Sequence, residues 1–525
     1  VTAAVLENVA LLAEAPGGVT ALRRLVMALA ISGRLVPQQY GDDSAAAVLQ
    51  ATAALRKTSG TTRPASTRAT RTSEPARLPA GWVVTTVGDV LICRDGERVP
   101  VSQADRAGRA KLYDYYGASG VIDKIDGFLF DKPLLLVGED GANLVNRNTP
   151  IAFIARGKYW VNNHAHVLDG ISEGVLRYMA LYFNAIDLKP YVTGTAQPKL
   201  NQAKLNAISV ALPPAAEQRR IVAKVDELMS LCDRMEARQQ DAEAAHARLV
   251  QALLDSLTQA RDADEFQACW QRLAGQFESL LTSGESVDIF KQTVLTLAIA
   301  GELTGTMLGD GDAGSELAEH RIVAKPHARK GWVVVALGHM GVVLGGATPS
   351  KARPDFWEGD IPWVSPKDMK RLEIADAEDH VSLAALDASP LKLVPANSIL
   401  MVVRGMILVH SFPVARTAVP VTINQDMKAL VPPTDFVPYL LLALQALRPQ
   451  IVATVDRSSH GTCKLVSEKL WSIEIGLPPL AEQHRIVAKV TELLALCDQL
   501  KARIAAARAK HAQLAEALVA QAVAA

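Results

Sequence analysis

The string L-P-P-A-A-E-Q-R-R-I-V-A-K-V, Leu212 to Val225, returns as L-P-P-L-A-E-Q-H-R-I-V-A-K-V from Leu477 to Val490, differing only at Ala215/Leu480 and Arg219/His484. The offset is 265 residues in a chain of 525. A repeat at that period constrains both halves at once, because whatever one copy folds into the other must also accommodate. Two further pairs widen the duplication. A-L-A-I-S-G-R-L-V (Ala28 to Val36) is matched by T-L-A-I-A-G-E-L-T (Thr296 to Thr304), and Gly81-Trp82-Val83-Val84 by Gly331-Trp332-Val333-Val334.

Each long string has the marks of a helix start. Paired prolines precede the first turn, and Glu217 or Glu482 stands near the positive end of the helix dipole. A heptad pattern follows, stepping through Ile221, Val225, Leu228, Cys232, Met235, Gln239, Ala242, His246, Leu249 and Leu253. The same steps give Ile486, Val490, Leu493, Cys497, Leu500, Ile504, Ala507, His511, Leu514 and Leu518. Two helices of this kind, on the order of 60 Å long, carry an apolar seam that calls for a partner helix. Cys232 and Cys497 read as small hydrophobes on that seam, and His246 and His511 as polar register-setting or edge positions.

A chain this long exceeds one hydrophobic core, and roughly 150 residues per domain predicts three or four packed units. The pattern divides it into an N-terminal helical hairpin (1–54), a linker (55–80), an α/β domain (81–213), a long helix (214–260), a second hairpin with linker (261–330), a second α/β domain (331–478) and a second long helix (479–525). The hairpin rests on Val5, Val9 and Leu12, then Leu22, Leu25, Val26 and Leu29, around the breaker Pro16-Gly17-Gly18. The linker carries Arg56, Lys57, Arg63, Arg68, Arg71 and Arg77 against Glu74 and almost no large apolar residue, so burial cannot offset its ordering entropy. Strand-like runs fall at 83–87, 134–137, 151–155 and 208–212, then at 399–403, 418–423 and 473–477. The predicted fold class is α/β plus α-helical: a tandem, pseudo-two-fold repeat of two α/β domains separated by long helices that form an antiparallel coiled coil.

Charge does not select a partner, since Lys+Arg and Asp+Glu both number 55. Any basic surface is local. Five scattered cysteines form no C-x-x-C pair, which fits a reducing cytoplasm. No stretch reaches about 18 apolar residues without a charge, and no secretion signal opens the chain. Catalytic signatures are missing: no Walker loop, no G-x-G-x-x-G, no G-x-S-x-G, no H-E-x-x-H, and no Asn/Asp-Pro-Pro-aromatic tetrad for holding a flipped base. His164 and His166 share a strand face but lack a third metal ligand nearby in sequence. The expectation is a chain without catalysis and without metal.

Two unlike α/β domains held at a fixed spacing suit the reading of two short sequences on one DNA duplex. At this point the strings Y-Y-G-A-S-G-V-I-D (Tyr115 to Asp123), L-V-G-E-D-G-A (Leu136 to Ala142), G-K-Y-W-V-N-N-H-A-H-V-L (Gly157 to Leu168), G-G-A-T-P-S (Gly345 to Ser350), I-P-W-V-S-P-K-D (Ile361 to Asp368) and both L-P-P-x-A-E-Q motifs carry a specific resemblance. From about Gly81 onward the chain resembles the specificity subunit of type I restriction-modification systems, which act in phage defence. That resemblance implies two target-recognition domains on double-stranded DNA, each reading half of a bipartite asymmetric site. The paired helices set the unread spacer, so a heptad inserted after Val225 and another after Val490 should lengthen it. It also implies two modification subunits that carry S-adenosylmethionine for adenine methylation, and motor and nuclease subunits recruited through them. This chain itself would bind no cofactor. The twice-occurring hairpins are the expected docking surfaces for the modification subunits.

Base reading needs amides, Arg or Lys in the major groove, with lysines and hydroxyls on phosphate. On that logic the candidates are Tyr159, Asn162, Asn163, His164, Thr193, Thr195, Gln197, Lys199 and Lys204 in the first domain. In the second they are Thr348, Ser350, Lys367, Arg404, Asn424, Gln425, Ser459, His460, Thr462, Lys464 and Lys469. Lys199 aligns with Lys464 and Lys204 with Lys469 at the same offset of 265. Two competing readings stand beside this one: a protein-protein scaffold with peptide-binding α/β domains, indifferent to DNA and salt, and an enzyme with a cryptic site that would act on DNA unaided.

Overall fold

The computed structural model describes residues 9–39, 41–58, 78–194, 197–307, 309–457 and 463–524. It divides into two compact units, one of residues 1–242 with 508–525 and one of residues 243–507. Among the described residues no helix is long and apolar enough to cross a membrane.

In the first unit, helices Val9–Glu14 and Gly18–Ile31 form the expected hairpin. Leu22, Leu25 and Leu29 pack with Leu12, with Cys232 of the first long helix (Ala215–Thr258), and with Ala515, Val519 and Ala522 of the second (Leu480–Ala524). Polar contacts give the directions. Between Arg23 and Gln38 the partners on the first long helix run backwards, from Asp233 and Glu236 to Glu217, while those on the second run forwards, from Glu516 to Ala522. The two long helices are therefore antiparallel where they meet this hairpin.

Val26 and Ala30, on another face of the hairpin, enter the core of the α/β domain. That core lies against a four-stranded antiparallel sheet in the order Ile92–Cys93, Ala165–Asp169, Leu134–Gly138, Ala152–Ala155, with helix Glu173–Ala185 packed on it. A second four-stranded sheet (Gly120–Ile125, Tyr113–Gly117, Lys158–Val161, Phe130–Asp131) stands beside it, and Val83–Thr86 pairs with Ser209–Leu212 to join the domain's two ends. Strands 158–161 and 165–169 lie outside the strand-like runs read from the sequence, where only the spacing of His164 and His166 hinted at a strand. The run K-Y-W-V-N-N-H-A-H-V-L-D looks like loop chemistry, yet Asp169 is buried beneath Arg94 and Lys132, and His166 is buried against Asp95.

The linker boundary also moves. Helix Ala46–Thr58 runs into the stretch expected to be a tether. Buried Arg56 donates to the carbonyl of Leu91 at 2.7 Å and to that of Gly88, so residues 55–58 belong to the folded domain. The rest of that basic stretch, residues 59–77, lies outside the described residues.

The second unit repeats the plan with its own helices. Gly284–Ile299, opened by a Ser283/Ser286 capping box, packs on the second long helix through Asp288–Lys501 and Lys291–Asp498. Its α/β domain has a five-stranded sheet (Val342–Gly345, Met427–Val431, Ile399–Val402, Val414–Thr417, Glu373–Ile374) and a three-stranded one (Asp379–Val381, Ile361–Val364, Thr422–Ile423). Of the strand expected over 418–423, Thr422–Ile423 form one. Strand Val333–Ala336 pairs with Glu474–Leu477, as Val83–Thr86 does with Ser209–Leu212.

The long helices bury a straight face. Ile221, Val225, Cys232, Ile486, Val490 and Cys497 are buried, and Leu228, Met235, Leu493 and Leu500 partly so, as the heptads predict. Beyond them the seam slips by one residue. Leu249 and Leu514 are exposed, as are Ala242, Ala507 and His511, while Val250, Leu254, Leu257, Ala515, Val519 and Ala522 are buried. From Cys232 to Val250, and from Cys497 to Ala515, the step is 18 residues, or five turns at 3.6 residues per turn. A heptad tracks 3.5 and drifts about 20° per repeat against a straight helix. At each end burial follows the residues that meet that unit's own hairpin. His246 is half-buried at the edge of the buried face, its Nε2 3.0 Å from the Leu280 carbonyl.

Candidate nucleic-acid interface

The repeated motifs meet at one joint in each unit. Gly81 and Gly331 take φ of 82° and 79°, a left-handed turn open to glycine, and a Cβ at Gly81 would also crowd Pro214 Cγ at 3.2 Å. The turn brings the following tryptophan to the motif glutamate: Trp82 Nε1 donates to Glu217 at 3.0 Å and Trp332 Nε1 to Glu482 at 3.1 Å. Gln218 and Gln483 close on the carbonyls of Pro213 and Pro478 at 2.9 and 2.7 Å. Arg220 pairs with Asp42 and Arg485 with Asp310. Burial pushes the Glu217 carboxyl above its ordinary range, against the lowering effect of the Gln38 and Trp82 bonds. Thus G-W and L-P-P-x-A-E-Q are two halves of one fastener between α/β domain and helix. Nothing in it is placed for chemistry.

At the far end of each sheet a second duplicated frame appears, and its side chains differ. In the first domain Glu139 N donates to the His164 carbonyl (2.8 Å), Leu200 N to the Glu139 carbonyl (2.8 Å) and Gly141 N to the Pro198 carbonyl (3.0 Å). In the second, Val403 N donates to Asp426 (2.8 Å), Leu465 N to Val403 (2.9 Å) and Gly405 N to Cys463 (3.0 Å). The bonds correspond one for one. Asp140, bridged to Lys199, therefore occupies the same place as Arg404, bridged to Lys464. Asn162 and Asn424 also correspond: each side-chain oxygen accepts the backbone N–H two residues on, at 2.8 and 3.1 Å.

Around this frame the first domain pairs its charges. His164 Nδ1 lies 2.8 Å from Asp140, Lys199 3.2 Å from Glu139, and Arg98 2.7 Å from Glu139. Asp95, Glu139 and His166 come close enough to suggest a metal site. Arg98 already lies between the carboxylates, 3.5 Å from Asp95, and both His166 ring nitrogens are taken, by Asp95 at 2.6 Å and the Leu200 carbonyl at 2.7 Å. The cluster is a buried ion-pair network. Burial is the largest single influence on Asp95 and opposes its ionisation, but the His166 bond and charge, the Val167 N–H and the Arg98 charge together hold that carboxyl below its ordinary range. Among the described residues of the second domain, Arg404 has one loose ionic partner, Asp426 at 3.9 Å, and Lys464 is exposed with no ion pair.

The model of the type I restriction modification DNA specificity domain matches this chain twice, over residues 79–244 and 329–507. The two matches cover more than half the chain. The chain belongs to that family. It is 42% identical over 153 residues to the type I restriction enzyme EcoR124I/EcoR124II specificity subunit of Escherichia coli, a match spanning 29% of this chain and 38% of that relative. The EcoAI specificity subunit of Escherichia coli is 25% identical over 565 aligned positions, covering 95% of this chain and 93% of its own. A solved HsdS subunit from Thermoanaerobacter tengcongensis superimposes over 86% of this chain and 99% of its own, with a TM-score of 0.40 at 18% identity.

Within this specificity-family fold the sequence candidates separate. Asn163, His164, Thr193, Gln197 and Lys199 gather at the first frame and are exposed. Arg404, Gln425 and Lys464 gather at the second, with Thr348 hydrogen-bonded to Gln425; Ser350, two residues beyond Thr348, is exposed. Three expectations are corrected. Tyr159 is buried in an aromatic cluster and donates its hydroxyl to the Lys132 carbonyl at 2.9 Å, so it builds the domain and cannot touch a base. Asn162 and Asn424 are buried, their side chains spent on the turns. Lys367 is exposed and clasped by Asp379 at 3.0 Å and Glu378 at 3.1 Å, which raise its pKa.

Lys204 and Lys469 sit on the short helices Gln202–Asn206 and Ser467–Trp471, Lys469 paired with Asp456. Thr195, Ser459, His460 and Thr462 lie outside the described residues. Asp140, Glu139, Arg98 and Asp426 were missed. Aligning G-E-D-G with V-R-G on their glycines would have found Asp140 opposite Arg404.

Proposed function

We propose that this chain is the DNA sequence-specificity subunit of a type I restriction-modification complex, reading a bipartite asymmetric site with its two α/β domains. One observation carries the reading: two identical backbone frames present unlike side chains. A scaffold duplicated for one ligand would keep its contacting residues alike, whereas a reader of two different half-sites keeps the frame and changes the chemistry on it. The chain acts without catalysis of its own. Two modification subunits supply S-adenosylmethionine and adenine methylation, and motor and nuclease subunits join through them. The complex works in the cytoplasm.

The hairpins do not stand apart as docking modules. Gly18–Ile31 and Ala46–Thr58 contribute Val26, Ala30 and Val48 to the first domain's core, so a deletion of residues 1–54 would damage that domain and could not report on docking alone. The test of function is selection from random duplexes by the chain reconstituted with type I modification subunits. A split motif should be enriched, and affinity should fall steeply with salt as phosphate counterions are released. Salt-independent binding without enrichment would favour the peptide-binding scaffold instead.

A further inference from the structure

We infer that Arg404 reads a guanine in the half-site taken by the second domain, and that Asp140, at the matching place in the first, selects a base offering an amino group, cytosine or adenine. The inference rests on the specificity reading above and adds its chemistry. Phosphates are the same in every half-site, so a position that touches backbone stays cationic when a domain is duplicated. Lys199 and Lys464 behave that way, both exposed lysines at one offset. Their bridge partners do not: the residue opposite them is Asp140 in one domain and Arg404 in the other, inside the same three backbone bonds. A charge that inverts within a conserved frame, beside a cation that does not, marks a position facing something that differs between half-sites. The bases differ.

The local geometry suits the task. The Arg404 side chain is 49% exposed, and Asp426 at 3.9 Å steers the guanidinium without occupying its donor fork. Gly405 follows at φ 131°, and a Cβ there would meet nothing within 4 Å, leaving the backbone open to close approach. A guanidinium fork matches the two acceptors of guanine, O6 and N7, in the major groove, whereas a carboxylate is repelled by those acceptors and accepts from cytosine N4 or adenine N6. The Asp140 side chain is 17% exposed, with His164 Nδ1 3.0 and 2.8 Å from its two oxygens, so a base amino group reaches that carboxylate by displacing the exposed His164 ring.

The test is duplex selection by the full chain with modification subunits, comparing Arg404→Ala, Asp140→Asn and Lys464→Ala with the wild type. Arg404→Ala should retain the first half-site and the spacer and lose the preference for guanine at one position, by roughly 5- to 150-fold. Asp140→Asn should relax one position of the other half-site. Lys464→Ala should weaken all duplexes alike. A motif unchanged in Arg404→Ala, or a uniform weakening with guanine still required, would overturn the inference while leaving the specificity reading intact. Absence of any split motif with the wild-type chain would overturn that reading itself. Equal thermal unfolding of wild type and Arg404→Ala guards against a folding artefact.

Discussion

Replacing Glu217 with alanine tests the joint on which the α/β domain is hung. Glu217 is fully buried and accepts Trp82 Nε1–H at 3.0 Å and the Gln38 amide at 2.6 Å. Gln38 is exposed and can turn to water, but Trp82 is 8% exposed and loses its acceptor. An unmade buried donor costs about 1–3 kcal/mol. For a folding unit of this size each kcal/mol moves Tm by about 2–4 °C, so a central ~2 kcal/mol predicts a drop of roughly 4–8 °C by scanning calorimetry. Glu217→Gln keeps an acceptor for the indole and should unfold within about 2 °C of wild type.

The two also part with pH. The folded Glu217 carboxyl is raised above its ordinary 4.5, so above that value the folded state keeps a proton that the unfolded state has lost. Stability of the wild type relative to Glu217→Gln should therefore fall as pH rises through that window and then level off. If Glu217→Gln loses as much as Glu217→Ala, or if Trp82→Phe and Glu217→Ala add without coupling, the indole–carboxylate bond is not what fastens the joint.

The remaining predictions are shorter. Leu254→Ala should cost about 2–5 kcal/mol and Leu249→Ala about 0.5 kcal/mol or less, because the buried face runs through Val250 and Leu254; denaturant unfolding of both would decide between the straight and heptad faces. Asn162→Ala and Asn424→Ala each leave a turn N–H without its acceptor and should cost about 1–3 kcal/mol in stability, with the selected DNA motif unchanged wherever the variant folds. Arg56→Ala should destabilise the first unit although its sequence context reads as a tether, since it removes donors from the buried carbonyls of Gly88 and Leu91; limited proteolysis would reveal the loosened helix.

Legibility followed periodicity. Helix starts, the hairpins and the apolar runs at 83–87, 134–137 and 208–212 announce themselves because burial imposes a helical period or a short apolar run on composition. The polar strand Ala165–Asp169 does not, because its burial is compensated by Asp95, Arg94 and Lys132 from distant parts of the chain, and no local pattern records such partners. Tyr159 misled for the same reason: a tyrosine among asparagines looks like a reading residue until Phe130, Tyr116 and the Lys132 carbonyl enclose it.

The sequence by itself determined that the chain is a duplication, where each long helix begins, and which lysines recur at Lys199 and Lys464, since these are matters of order and spacing along one dimension. Only the tertiary structure decided that G-W and L-P-P-x-A-E-Q close on each other, which residues of the long helices are buried, and that Asp140 stands where Arg404 does. Those facts depend on hydrogen bonds between residues tens to more than a hundred positions apart, and a chain's spacing says nothing of them until it has folded.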